Sequence, residues 1–148
     1  MLKRVLSLFG DREPPVREDV DPHVAAAALF AEASLLDGVY AEIESDRVKQ
    51  ILMEAFDLNE VRAEQVILEG EAAAEEAVDA HRFTKRVKLL PLAQREKVIE
   101  GLYYVALADG ERCKFEDAFI RHVASLLHIA DVRRAHAKQS AEQRHARD

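Results

Sequence analysis

The chain has 148 residues, a formal net charge of −7, and side chains that are 49% apolar and 33% charged. That length suits one domain with a single substantial core, and the balance is ordinary for a globular protein. One cysteine excludes an internal disulfide and fits a reducing cytoplasm, and no apolar run approaches the length that spans a bilayer.

The charge is unevenly spread. Residues 1–36, 37–80 and 81–148 carry balances of −2, −10 and +5. The acidic middle argues against wholesale nucleic-acid binding, which needs a basic surface along the phosphates. It suits a cation or a basic protein partner, or a solvated helical face.

In chain order, residues 2–9 form a short amphipathic pattern, with Leu2, Val5, Leu6 and Phe9 opposite Lys3 and Arg4. Such a segment can rest on an anionic membrane surface, which gives a peripheral inner-membrane association through residues 1–10. It can equally fold back on the domain or fray. Its apolar stretch is too short for a secretory signal. Gly10 to Asp21, with Pro14 and Pro15, reads as a linker.

The first core helix starts at Asp21-Pro22, a cap followed by proline at the first helical position. Ala26, Leu29, Phe30, Ala33 and Leu36 keep helical spacing on one face. A second helix runs from about Glu42 to Phe56, burying Val48, Ile51, Leu52 and Ala55. Asp57-Leu58-Asn59 is the next break, where Asn59 can cap the third helix. Residues 60–80 read as one long acidic helix whose apolar side is Val61, Ile67, Leu68, Ala72 and Val78. Gly70 within it costs helix propensity and allows close packing.

His81-Arg82-Phe83-Thr84 opens a short basic helix with Phe83, Val87 and Leu90 inward, and Pro91 starts a fifth helix with Val98, Ile99, Leu102, Val105 and Ala106 inward. The sixth carries Phe115, Phe119, Ile120, Val123 and Leu127. A seventh begins near Asp131 and frays into a tail over residues 140–148, expected to be disordered.

Two stretches repeat each other. Asp37-Gly38 is followed by Glu44, and Asp109-Gly110 by Glu116, each after an apolar run. The match continues in register: Phe30 with Leu102, Ala33 with Val105, Ile43 with Phe115, Val48 with Ile120, Ile51 with Val123. After a one-residue gap it resumes as Leu58 with Ile129 and Val61 with Val132. One Asp-Gly is only a turn signal, but two inside matched apolar frames indicate a duplicated helix–loop–helix unit. Neither unit can bury its apolar face alone. The expected fold is therefore all-α, with about seven helices and the two units related by a pseudo-twofold.

On these two Asp-Gly motifs with their glutamates, and on His81-Arg82-Phe83-Thr84 between them, the chain resembles the TerB-like family, named for a bacterial tellurite-resistance protein. The resemblance covers roughly residues 22–138 and places the helical domain at 22–139, after an N-terminal segment and linker at 1–21. It implies an all-helical fold with an internal pseudo-twofold, and acidic loop residues that bind a metal ion: Asp37, Glu44, Asp109 and Glu116. It also implies a role in stress or metal-oxyanion (tellurite) response, and the leading reading is a non-enzymatic cytoplasmic module that binds a divalent cation or partner proteins through its acidic loops. The family pattern has Asp, Ser or Thr at the cap position, where this chain has Ala41 and Cys113.

Oxygen-only ligands favour a hard divalent cation, calcium, magnesium or manganese, over zinc or copper. Glu42, Asp46, Glu111 and Asp117 are nearby extras. A competing reading makes the same carboxylates structural. Glu44 and Glu116 stand three positions after the expected caps, where a glutamate accepts backbone N–H bonds, and Asp37 and Asp109 can form Asx turns. The protein is then a scaffold for protein interaction.

Enzyme templates are missing. There is no Gly-rich phosphate loop, nucleophile elbow or His-Glu-x-x-His. The six histidines have no zinc-ligand spacing beside Cys113 and read as exposed or capping residues. Cys113 itself, at a helix start between Arg112 and Lys114, leaves open a thiol redox enzyme, against an inert small side chain.

Overall fold

Local signals start and stop the helices. Asp21 Oδ1 accepts the His23 N–H at 2.7 Å, while the Asp21 carbonyl accepts the Ala25 N–H at 2.8 Å, so Asp21 caps the turn that Pro22 opens without a donor of its own. Asn59 Oδ1 does the same for the Arg62 N–H at 2.8 Å. The computed structural model describes residues 20–37, 42–76, 81–109 and 114–148, with side chains for all of these except 34–37, 42–44, 109 and 114–116.

Within them the order is α1 (Pro22–Asp37), α2 (Glu42–Phe56), α3 (Glu60–Glu76), α4 (His81–Val87), α5 (Leu92–Ala106), a 3₁₀ turn (Leu107–Asp109), α6 (Lys114–Leu126) and α7 (Asp131–Arg147). The fold is all-α, and no strand occurs among the described residues. None of the described helices is long and apolar enough to cross a membrane. The amphipathic segment 2–9 and most of the linker lie outside the described residues. Val20, at the linker's end, already packs on the core and accepts a bond from Arg86 Nε at 3.0 Å.

Two helices form the centre. In α1 every residue from Val24 to Ala31 is buried, so the one-sided face expected from its spacing is buried all round. In α5 the run from Gly101 to Ala106 is buried without a break. Helix α1 packs on α3 and α4, touching α2, α5 and α6; α5 packs on α7, α2 and α6. Phe30, Leu29, Phe83, Tyr103 and Leu102 are among the fully buried side chains. Each contributes about 1.5–3 kcal/mol by leaving water.

Gly70 explains how close α1 and α3 come. A Cβ there would stand 2.6 Å from Ala27 Cβ and 2.8 Å from backbone atoms of Ala27 and Ala28. The contact face of α3 is thus Ala63, Val66, Ile67, Gly70 and Ala74, all buried. Val61, Leu68 and Ala72, expected on the apolar side, lie exposed instead. The helix offers two stripes, and the one with small residues wins because it lets two backbones meet.

Matched positions of the repeats share backbone detail. Asp57 and His128, equivalent when Leu58 is paired with Ile129, have φ of 57° and 60°. Both close α2 and α6 with the same six-residue bond, Leu58 N–H to the Met53 carbonyl at 3.1 Å and Ile129 N–H to the Ala124 carbonyl at 2.9 Å. In this alignment Val66 and Gly70 match Ala137 and Ala141, and all four are buried.

The expectation of a disordered tail over 140–148 does not hold. Helix α7 continues to Arg147, with Ala141 fully buried. The tail's polar composition conceals a small-residue stripe, Ala141 continuing from Ala137, that seats on α5, and Arg144 finds two acidic partners on other helices.

Candidate functional site

Each Asp-Gly loop is built between two helix ends. Asp37 is the last residue of α1 and Glu44 the third of α2; Asp109 ends the 3₁₀ turn after α5 and Glu116 is the third of α6. Both pairs therefore stand at equivalent helix boundaries. The loop residues 38–41 and 110–113, Cys113 among them, and the side chains of all four candidates lie outside the described residues. Of the extras, Asp46 is exposed on α2 and Asp117 half-buried on α6. Among the described residues no three His, Cys, Asp or Glu side chains gather as a metal group would require.

Between α2, α5 and the end of α7 lies a polar cluster that sequence reasoning missed. Arg47, one turn after Glu44 on α2, donates from Nη1 to the Tyr104 carbonyl at 2.8 Å. That carbonyl is in the last turn of α5, which leads into the second loop. A cation at a helix C-terminus is favoured by the exposed carbonyls there. The Arg47 guanidinium also lies 4.2 Å from the centre of the Tyr104 ring, and that of Arg144 lies 4.9 Å from it.

The Tyr104 hydroxyl donates to Asp148 Oδ2 and lies 3.3 Å from Gln50 Oε1. Burial, then the Asp148 carboxylate, push its phenol above the ordinary tyrosine value. Glu54 and Glu100 are occupied: Arg144 bonds Glu54 and lies 3.6 Å from Glu100, while Lys97 approaches the two at 3.7 and 3.4 Å. These carboxylates neutralise arginine and lysine, so their chemistry is structural. The only sequence signal for the cluster was a helix-end aromatic, which does not name its partner.

One further arginine bonds carbonyls just past two helix ends. Arg95 donates to the Leu127 carbonyl at 2.7 Å and the Leu90 carbonyl at 3.0 Å. The histidines stay apart: His122 and His128 are exposed, and His23 stacks on Phe56 with ring centres 4.1 Å apart.

Compared with known proteins, residues 23–139 match the family model described as tellurite resistance protein TerB. No curated protein and no solved structure gives a significant match.

Proposed function

Since the chain belongs to the TerB family, as a helical module of the tellurite-resistance group, we propose that it acts without catalysis of its own, by binding a divalent cation through its two acidic loops. The observation that carries this reading is the equivalent placement of both carboxylate pairs, an aspartate ending one helix or turn and a glutamate at the third position of the next. The donor set is all oxygen, which fits calcium, magnesium or manganese. Two carboxylates per loop are fewer than a strong calcium loop supplies. Affinity is thus expected near 10⁻⁴ M or weaker (roughly), unless a pseudo-twofold between the repeats brings both loops to one ion.

The cellular setting we attach to this reading is a cytoplasmic stress or tellurite response, with protein partners and peripheral membrane contact through residues 1–10. The third helical position of Glu44 and Glu116 favours a second reading, in which they cap α2 and α6 and the protein is a scaffold.

Calcium and manganese titrations of the full chain, followed by NMR, separate the two. A cation site loses affinity in Asp109→Asn and Glu116→Gln with little change in melting temperature. Unchanged titrations with lowered melting temperature would make the carboxylates caps and end the cation reading.

A further inference from the structure

The outer face of α3 is built like one half of a two-helix seam. Val61, Gln65, Leu68 and Ala72 succeed one another at spacings of four, three and four residues, and all four are exposed, Val61 and Leu68 each to 66%. That spacing is the a/d pattern of a coiled coil, and a polar residue such as Gln65 at one such position sets register. Isolated exposed apolar side chains need no explanation. Here they form a stripe opposite the buried face of Ala63, Val66, Ile67, Gly70 and Ala74.

Glutamates border the stripe on both sides: Glu64 and Glu71 along one, Glu69 along the other, with Glu75 at its end. Glu64 is held by Lys49 at 3.1 Å. Glu69, Glu71 and Glu75 have no ion-pair partner among the described residues. This arrangement opposes helix formation twice. Glu71 and Glu75 are like charges four apart, and the last turn of α3, without a basic residue, sets acids against the negative end of the helix dipole. A cationic helix laid along the stripe relieves both and covers the apolar residues.

We propose that the outer face of α3 docks a basic amphipathic helix of a partner protein, apolar along its seam and carrying Lys or Arg on the flanks. Charge selects this occupant: α3 against α3 of a second copy would oppose glutamate with glutamate. The proposal is independent of the cation reading, since it uses none of the loop residues.

The probe is a three-heptad peptide with leucine at the seam positions and lysine on the flanks, titrated into the full ¹⁵N-labelled chain. Shifts are expected along Val61, Gln65, Leu68 and Ala72. Affinity should fall about tenfold or more in Leu68→Lys, an exposed site whose change spares the fold, and likewise when salt is raised from about 0.05 to 0.5 M.

The proposal is overturned by the absence of shifts at millimolar peptide, by shifts elsewhere, or by equal binding of the same peptide with serine at its seam. Sedimentation showing a dimer of the chain that Leu68→Lys dissociates would assign the face to a second copy. Binding that appears only in the Leu6→Glu/Phe9→Glu chain would assign it to the protein's own N-terminal segment.

Discussion

Arg47 and Tyr104 stand 57 residues apart, and Arg47 on α2 closes the end of α5 by bonding the Tyr104 carbonyl at 2.8 Å while its guanidinium covers the Tyr104 ring. The helix that leaves the first Asp-Gly loop is thereby tied to the helix that enters the second. Arg47→Ala removes a charged hydrogen bond and a stacked cation, so it is expected to destabilise the protein by about 1.5–3 kcal/mol. Arg47→Lys should recover only part, because an ammonium lacks the planar fork that both contacts use. Chemical denaturation of the three proteins checks the order.

Gly70 carries the α1–α3 crossing. In an open helix Gly→Ala would gain about 1 kcal/mol. Here the added Cβ meets backbone atoms of Ala27 and Ala28 at 2.8 Å. Gly70→Ala is therefore expected to cost about 1–3 kcal/mol. A stabilised variant in thermal melting would show that the crossing relaxes freely.

The left-handed residues Asp57 and His128 invite the opposite change. Glycine adopts positive φ without a Cβ penalty, so Asp57→Gly and His128→Gly should each stabilise by about 0.5–1 kcal/mol after the extra freedom of the unfolded chain is subtracted. Similar gains at both positions would show that the matched helix ends are alike in energy as well as geometry.

Truncation after residue 139 removes Ala141 from the core, takes Arg144 from Glu54 and Glu100 and Asp148 from the Tyr104 hydroxyl, and leaves Lys97 beside the two glutamates. A loss on the order of 1–2 kcal/mol is expected, chiefly from the packing of Ala141 and the hydrogen bond made by the Tyr104 hydroxyl. Unchanged cooperative melting of the truncated chain would mean that this end of α7 adds nothing.

Glu96 and Arg133 join α5 to α7 through two bonds of 2.9 Å. These hydrogen bonds hold the Glu96 carboxyl below the ordinary glutamate range. A carboxyl whose folded pKa is depressed adds stability that is complete above its unfolded value and is lost as pH falls through the lower folded one. The melting-temperature gap between the wild type and Glu96→Gln should be full at neutral pH and shrink below about pH 4.3. A gap that persists under strong acid would trace to packing.

The all-α class, the helix starts at Pro22, Glu60 and Asp131, the break at Asp57, the close approach at Gly70 and the family were legible in the sequence. They depend on local rules: proline and caps start helices, left-handed residues end them, and small residues allow contact. The candidate carboxylates were legible to the same extent, as positions on helix boundaries, because Asp-Gly marks a boundary wherever it falls.

Tertiary structure decided three other things. It chose which of the two stripes of α3 goes inside, since both satisfy helical periodicity and only the poly-alanine surface of α1 distinguishes them. It gave residues 140–147 a helix, because their stability comes from Ala141 on α5 and Arg144 on Glu54 rather than from their own polar composition. It joined Arg47 to Tyr104, a pairing that no periodicity encodes, because a guanidinium finds a distant helix end only after the helices have packed.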